Sequence, residues 1–226
     1  MSSVRPVLLH APRIRSLVVK RPSRSTSISR SRRVVVAATA VESDYASQGA
    51  LGLAEARIGW LGLFCAGLLL EAGVVKDFDA LIASHVELSY LLPLVMGHAG
   101  NVSSQTTCAI VRGLALDQIS PESDCLQTTA KECGCGCVVG AVIGAVIYAT
   151  SLASGAISEE VAHTTAVAMP VVSVWASTVG AAVTFACARL RLDPVMISAP
   201  LAATIVDATS VILYFCVASR LLSVSK

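Results

Sequence analysis

Residues 193–221 read DPVMISAPLAATIVDATSVILYFCVASRL. From Pro194 to Ser219 this stretch carries one acidic or basic side chain, Asp207, near its middle. A run of this length and apolarity predicts a helix that crosses a bilayer, which needs about 20 apolar residues. A carboxylate in hydrocarbon costs several kcal/mol, so Asp207 must face a protein interior or a water-filled path. No Lys or Arg stands in the middle of any other apolar stretch, so an internal ion pair does not account for it. A passing cation does. The rival readings are a proton-relay carboxylate and a structural one paired to a buried base.

A second stretch, Leu88 to Leu116, is apolar but interrupted by Pro93, Gly97, Gly100 and Asn101. These residues predict a broken membrane helix, a feature tolerated where backbone lines a cavity. Glycines let carbonyls approach an ion, and Asn101 and Gln105 add neutral oxygens. A single His98 without a cluster reads as a hydrogen-bonded residue rather than a ligand for a soft metal.

The rest of the chain fits this setting. It has 226 residues, of which 54% are hydrophobic and 14% charged. A soluble domain carries about 25% charged residues. The chain reads as an all-α, polytopic membrane protein, not an enzyme. Five spans are expected, at Arg57–Val75, Leu88–Leu116, Cys133–Ala156, Thr164–Ala188 and Pro194–Ser219, within a membrane domain over residues 57–221. Residues 41–56 form a polar lead-in and 222–226 a tail. No nucleotide-binding loop, hydrolase triad or nucleic-acid patch is present. Arg57, Arg112, Lys131, Arg189 and Arg191 fall on one side of this topology, and Glu159, Glu160 and the Lys76–Asp79 loop on the other. The positive-inside rule puts the first group in the inner compartment; Arg220 and Lys226 run against it.

Residues 1–40 hold eight Arg, one Lys and eight Ser with no acid, whereas all 15 acidic residues lie from Glu42 onward. An Arg-rich, Ser-rich, acid-poor end predicts an organellar transit peptide; the rival is a basic tail on the membrane surface. The run Arg32-Arg33-Val34-Val35-Val36-Ala37-Ala38 favours a chloroplast membrane, with the mitochondrial inner membrane as the alternative.

Cys133, Cys135 and Cys137 invite a metal reading, but on a helix Cys135 points away from the other two, and a tetrahedral site needs converging ligands. Small residues at a close helix contact explain the segment better, with Gly134, Gly136, Gly140 and Gly144 on the packing face. Glu71, at the end of the first span, and Glu132, at the start of the third, are expected as interfacial carboxylates, either secondary cation sites or solvated helix ends.

In this setting the chain resembles the transmembrane domain of the MgtE magnesium transporters. The resemblance rests on Ala56-Arg57-Ile58-Gly59-Trp60 and on Pro93 through Gln105 with its Gly-Asn-x-x-x-Gln core. Val111-Arg112-Gly113-Leu114-Ala115-Leu116, Lys131-Glu132 and Leu192-Asp193-Pro194 add to it. Ser198-Ala199-Pro200 with Thr204-Ile205-Val206-Asp207 is the most specific part. His98, Ser104 and Asp117-Gln118 depart from the pattern. The resemblance implies a homodimeric Mg²⁺ channel in the lipid bilayer, with a pore between the second and fifth spans. It implies Asp207 as the ion ligand and backbone carbonyls around Gly97, Gly100 and Ala203 nearby. The competing function is a proton- or sodium-coupled secondary transporter, which internal repeats would favour; none is evident. The soluble regulatory modules of bacterial members have no counterpart in these residues, so steep closure by internal Mg²⁺ is expected only with a separate regulatory subunit.

Overall fold

The computed structural model describes residues 49–192 and 194–222. The expected leader over residues 1–40 and most of the short tail lie outside them. The described residues form six helices joined by short turns: α1 (Ala50–Asp77), α2 (Asp79–Ser84), α3 (Glu87–Ala115), α4 (Cys125–Ser154), α5 (Glu159–Arg189) and α6 (Pro194–Leu221). The five long helices follow the order of the five expected spans. Among the described residues, α4, α5 and the Ile197–Leu221 part of α6 are each long and apolar enough to cross a membrane. The polar run from His98 to Thr107 makes α3 less apolar than these three. Residues 50–56, expected in the lead-in, form the first two turns of α1.

α5 is the hub. It packs chiefly on α4, then on α6 and α3, while α1 lies on α6. Its buried side includes Thr165, Ala168, Met169, Val172, Ser173, Ala176, Ser177 and Gly180. The small residues let neighbouring backbones approach, which is how helices gain contact where lipid offers no hydrophobic drive. The closest approach is with α4. A Cβ on Gly136 would stand 2.8 Å from the Ser173 carbonyl oxygen, one on Gly140 2.6 Å from Cα of Pro170, and one on Gly144 2.5 Å from the Ala166 carbonyl oxygen. Pro170 has no N–H, so the Ala166 carbonyl lacks its helical donor; Gly144 brings α4 against it. Gly134 meets nothing within 4 Å and is not on this face. It lies two residues from Gly136, on another side of the helix.

α3 is a continuous helix, and the expected break at Pro93–Asn101 is absent. Pro93 lies in the second turn, where it removes only the hydrogen bond to the Ser89 carbonyl. Gly97 and Gly100 keep helical backbone, since Gly155 is the described glycine with positive φ. Packing against α5 and α6 holds the helix through its weak points. α3 and α5 end alike, each with a non-glycine residue in the left-handed region, Asp117 (φ 55°) and Arg191 (φ 57°). After each turn the chain bonds back to its helix, Gln118 N–H to the Gly113 carbonyl and Leu192 N–H to the Cys187 carbonyl, both 2.9 Å. This six-to-one bond satisfies carbonyls that a helix end leaves open.

Two contacts identify the ends of the bundle. Arg189 donates to the Pro121 carbonyl at 2.8 and 3.0 Å, tying the end of α5 to the α3–α4 loop. At the opposite end Ser158 donates its N–H to Glu87 Oε1 at 3.1 Å and its hydroxyl to Glu87 Oε2. Arg112 and Arg189 therefore share one end, and Glu87, Glu159 and Glu160 the other.

Candidate functional site

Positions 93, 96, 97, 100, 101 and 104 of α3 recur at three- and four-residue spacing, so they form one stripe along the helix. The stripe faces Ala203 and Asp207 on α6, four residues apart on that helix. Together these residues line an open cavity of about 520 Å³. Gly97, Gly100, Asn101, Ala203 and Asp207, all singled out from sequence, converge there. Pro93, Met96 and Ser104 complete the wall. Met96 is the lining residue that sequence reasoning did not single out; its place one turn from Pro93 and Gly100 was the available signal.

Glycine matters at two of these positions. A Cβ on Gly100 would lie 3.6 Å from Asp207 Oδ1, and one on Gly97 would meet nothing within 4 Å. α3 thus leaves room beside the carboxylate. Asp207 is half-buried and Asn101 exposed to the cavity. The wall offers one carboxylate, an amide and a hydroxyl, all hard oxygen donors, with apolar groups between them. Such oxygens suit Mg²⁺ or Ca²⁺ rather than a soft metal. The α3 backbone carbonyls beside Gly97 and Gly100 belong to a regular helix, so each has one lone pair committed to the helical bond and one free.

His98 turns away from the cavity. Its Nε2 lies 2.8 Å from Ser173 Oγ. The Ser173 hydroxyl also lies 2.8 Å from the Met169 carbonyl, so imidazole, hydroxyl and carbonyl form one hydrogen-bonded chain whose direction the His98 tautomer sets. As expected, His98 is a hydrogen-bonded residue. Cys133 contacts Thr178 at 3.1 Å, while Cys135 and Cys137 are exposed on α4. No group of three or more metal-ligating side chains of His, Cys, Asp and Glu occurs among the described residues.

The two expected interfacial carboxylates have different surroundings. Glu132 is half-buried and accepts a hydrogen bond from Thr106 at 3.2 Å. Glu71 is not at a helix end, because α1 continues to Asp77. It is 8% exposed and lies within electrostatic reach of Asp207. Its burial on α1 depends on where α6 packs, which no local pattern records.

In the α3–α4 loop, Ser120 holds two carboxylates. Its N–H donates to Asp124 at 2.8 Å and its hydroxyl to Glu122 at 2.6 Å. The second bond holds the Glu122 carboxyl below the usual carboxylate range.

The sequence profile described as MgtE, divalent cation transporter, matches residues 92–217, more than half of the chain and the whole of the α3–α6 cavity. The magnesium transporter MgtE of Thermus thermophilus is 26% identical over 178 residues, which cover 79% of this chain and 39% of that protein. The magnesium transporter MgtE of Bacillus subtilis is 23% identical over 169 residues, covering 72% and 36%. The chain therefore spans well under half the length of these curated relatives. By the extent of the profile match, the chain belongs to the MgtE family of divalent cation transporters.

Proposed function

We propose that this chain carries Mg²⁺ across a membrane through the α3–α6 cavity, with Asp207 as the principal ion ligand. The observation that carries the reading is the convergence of Asp207, Asn101, Gly97, Gly100 and Ala203 on one open cavity. Mg²⁺ dehydrates reluctantly and demands octahedral oxygen coordination, so a conducting site must hold most of its waters. Water takes about 30 Å³ each, so a hexahydrated ion of roughly 200 Å³ fits in the space. Asp207 then attracts the ion, while Asn101, Ser104 and the free carbonyl lone pairs near Gly97, Gly100 and Ala203 accept from its waters. Glycines at 97 and 100 keep that shell from being stripped.

The finer reading has three parts. All five long helices cross the bilayer, α3 being shielded on its polar side by α5 and α6. Two chains pair around the open side of the cavity and place two Asp207 carboxylates across one pore, a closed two-fold arrangement. The basic leader delivers the protein to a chloroplast membrane. The relatives named as magnesium transporters support Mg²⁺ as the ion.

The test is flux into liposomes holding the purified chain and a Mg²⁺-sensitive dye, with no proton or sodium gradient. Asp207→Asn is expected to fold and elute as the parent does, and to reduce flux to the background of empty liposomes. Normal conduction by Asp207→Asn overturns the proposal. Flux that appears only when a proton or sodium gradient is imposed would assign the chain to coupled transport instead.

A further inference from the structure

α1 meets α6 at Gly67, where a Cβ would stand 2.6 Å from Cγ2 of Thr204. Four residues on from Gly67 is Glu71, and three residues on from Thr204 is Asp207. One helical turn separates each pair. α1 and α6 are the first and last of five long helices joined by reversals, so they run the same way, and Glu71 and Asp207 fall at one level. Two independent observations agree. Glu71 is 8% exposed, and its Oε2 has no hydrogen-bond partner among the described residues. The charged group acting on it is Asp207.

A buried carboxylate oxygen without a donor is costly, and a second carboxylate at the same level raises that cost. A divalent cation between them removes both penalties at once, because its charge equals theirs. A monovalent ion would leave one negative charge in the membrane interior. We propose that Glu71 and Asp207 form a two-carboxylate site for one divalent cation within a single chain, with Gly67 setting the separation of α1 from α6. The inference rests on the reading of Asp207 as an ion ligand and deepens it.

The experiment uses the full chain purified in detergent. Mg²⁺ binding is measured by calorimetry, and thermal unfolding is followed with and without Mg²⁺. The parent is expected to bind one Mg²⁺ per chain at this site and to unfold at higher temperature when it is bound. Glu71→Gln keeps the volume but removes the charge. It should unfold no lower than the parent in Mg²⁺-free buffer, bind Mg²⁺ at least about tenfold more weakly, and lose most of the Mg²⁺-induced shift. Because the ion is shared, Glu71→Gln combined with Asp207→Asn should bind no worse than Asp207→Asn alone. Gly67→Val, which keeps both carboxylates but pushes the helices apart, should also weaken binding. Parent-like affinity in Glu71→Gln, with binding lost in Asp207→Asn, overturns the pair and leaves the Asp207 reading standing. Parent-like binding and flux in Asp207→Asn overturns that reading itself. If Glu71→Gln does not fold, parent-like binding by Gly67→Val overturns the pair.

Discussion

At the residue scale the cavity sets one charged side chain, Asp207, among neutral neighbours. On the proposed reading Asp207 supplies the attraction, and Asn101 supplies an amide that accepts from a bound water. Asn101→Ala should therefore reduce Mg²⁺ flux by roughly tenfold, the usual effect of removing an outer-shell partner, whereas Asp207→Asn should abolish it. A dye assay in liposomes that finds Asn101→Ala as inactive as Asp207→Asn would place Asn101 in direct contact with the metal. Gly100 has a different role. A methyl group there would touch the Asp207 carboxylate from 3.6 Å, so Gly100→Ala should impair conduction while leaving thermal unfolding nearly unchanged. Glu122, in the loop, illustrates pH linkage. Its carboxyl is held below the usual range by Ser120, so the stability it contributes is present above the unfolded-state pKa and lost as pH falls through the lower folded value. It is fully exposed, and the contribution is small.

At the scale of elements the α4–α5 contact decides how the bundle holds together. Gly136, Gly140 and Gly144 put α4 against the α5 backbone, and backbone cannot move aside for a new methyl group. Gly140→Ala is expected to destabilise the protein by about 1–3 kcal/mol through overpacking. Gly134→Ala, in open space on the same helix, should stabilise it by up to about 1 kcal/mol through helix propensity alone. Denaturant unfolding in detergent separates the two, and equal effects would refute the assignment of faces. The regular spacing in Cys133-Gly-Cys-Gly-Cys137 suggests that the glycines act together, but a helix turns about 100° per residue, so neighbours two apart part company. α3 carries the other lesson of this scale. Proline, two glycines and an asparagine read as a break because each lowers helix propensity. Contacts with α5 and α6, absent from any local count, keep the helix whole.

The whole molecule has a polarity. Its basic residues Arg112 and Arg189 share an end with the α3–α4 loop, and Glu87, Glu159 and Glu160 stand at the other. The positive-inside rule predicts that the loop end faces the inner compartment. On the proposed organellar reading, protease added from outside to intact organelles should cut near Glu159 and spare the loop around Glu122; the reverse pattern would invert the topology. In that loop Ser120 already engages Glu122 and Asp124. Exposed carboxylates so occupied bind Mg²⁺ loosely and under strong screening. This 226-residue chain, reconstituted alone, should therefore show shallow inhibition as inner Mg²⁺ rises. Steep, cooperative closure in patch recordings would reveal a sensor within it.

What the sequence determined by itself is whatever hydrocarbon imposes locally. Apolar runs long enough for a bilayer predicted all-α architecture and the order of the long helices. A lone mid-span acid singled out α6, Gly97, Gly100 and Asn101 singled out α3, and the family resemblance implied that the two face one another. Each of these follows from the cost of placing one side chain in a medium without water, a cost that adds residue by residue. The tertiary structure alone decided which faces meet. It carried Glu71 from an expected helix end into the interior, brought Met96 into the cavity wall, turned His98 to Ser173 and left Gly134 outside the packed stripe. These outcomes depend on the register between helices far apart in the chain. That register is fixed by the close approach of small residues such as Gly67 on Thr204 and Gly140 on Pro170, a contact between surfaces that neither segment specifies alone.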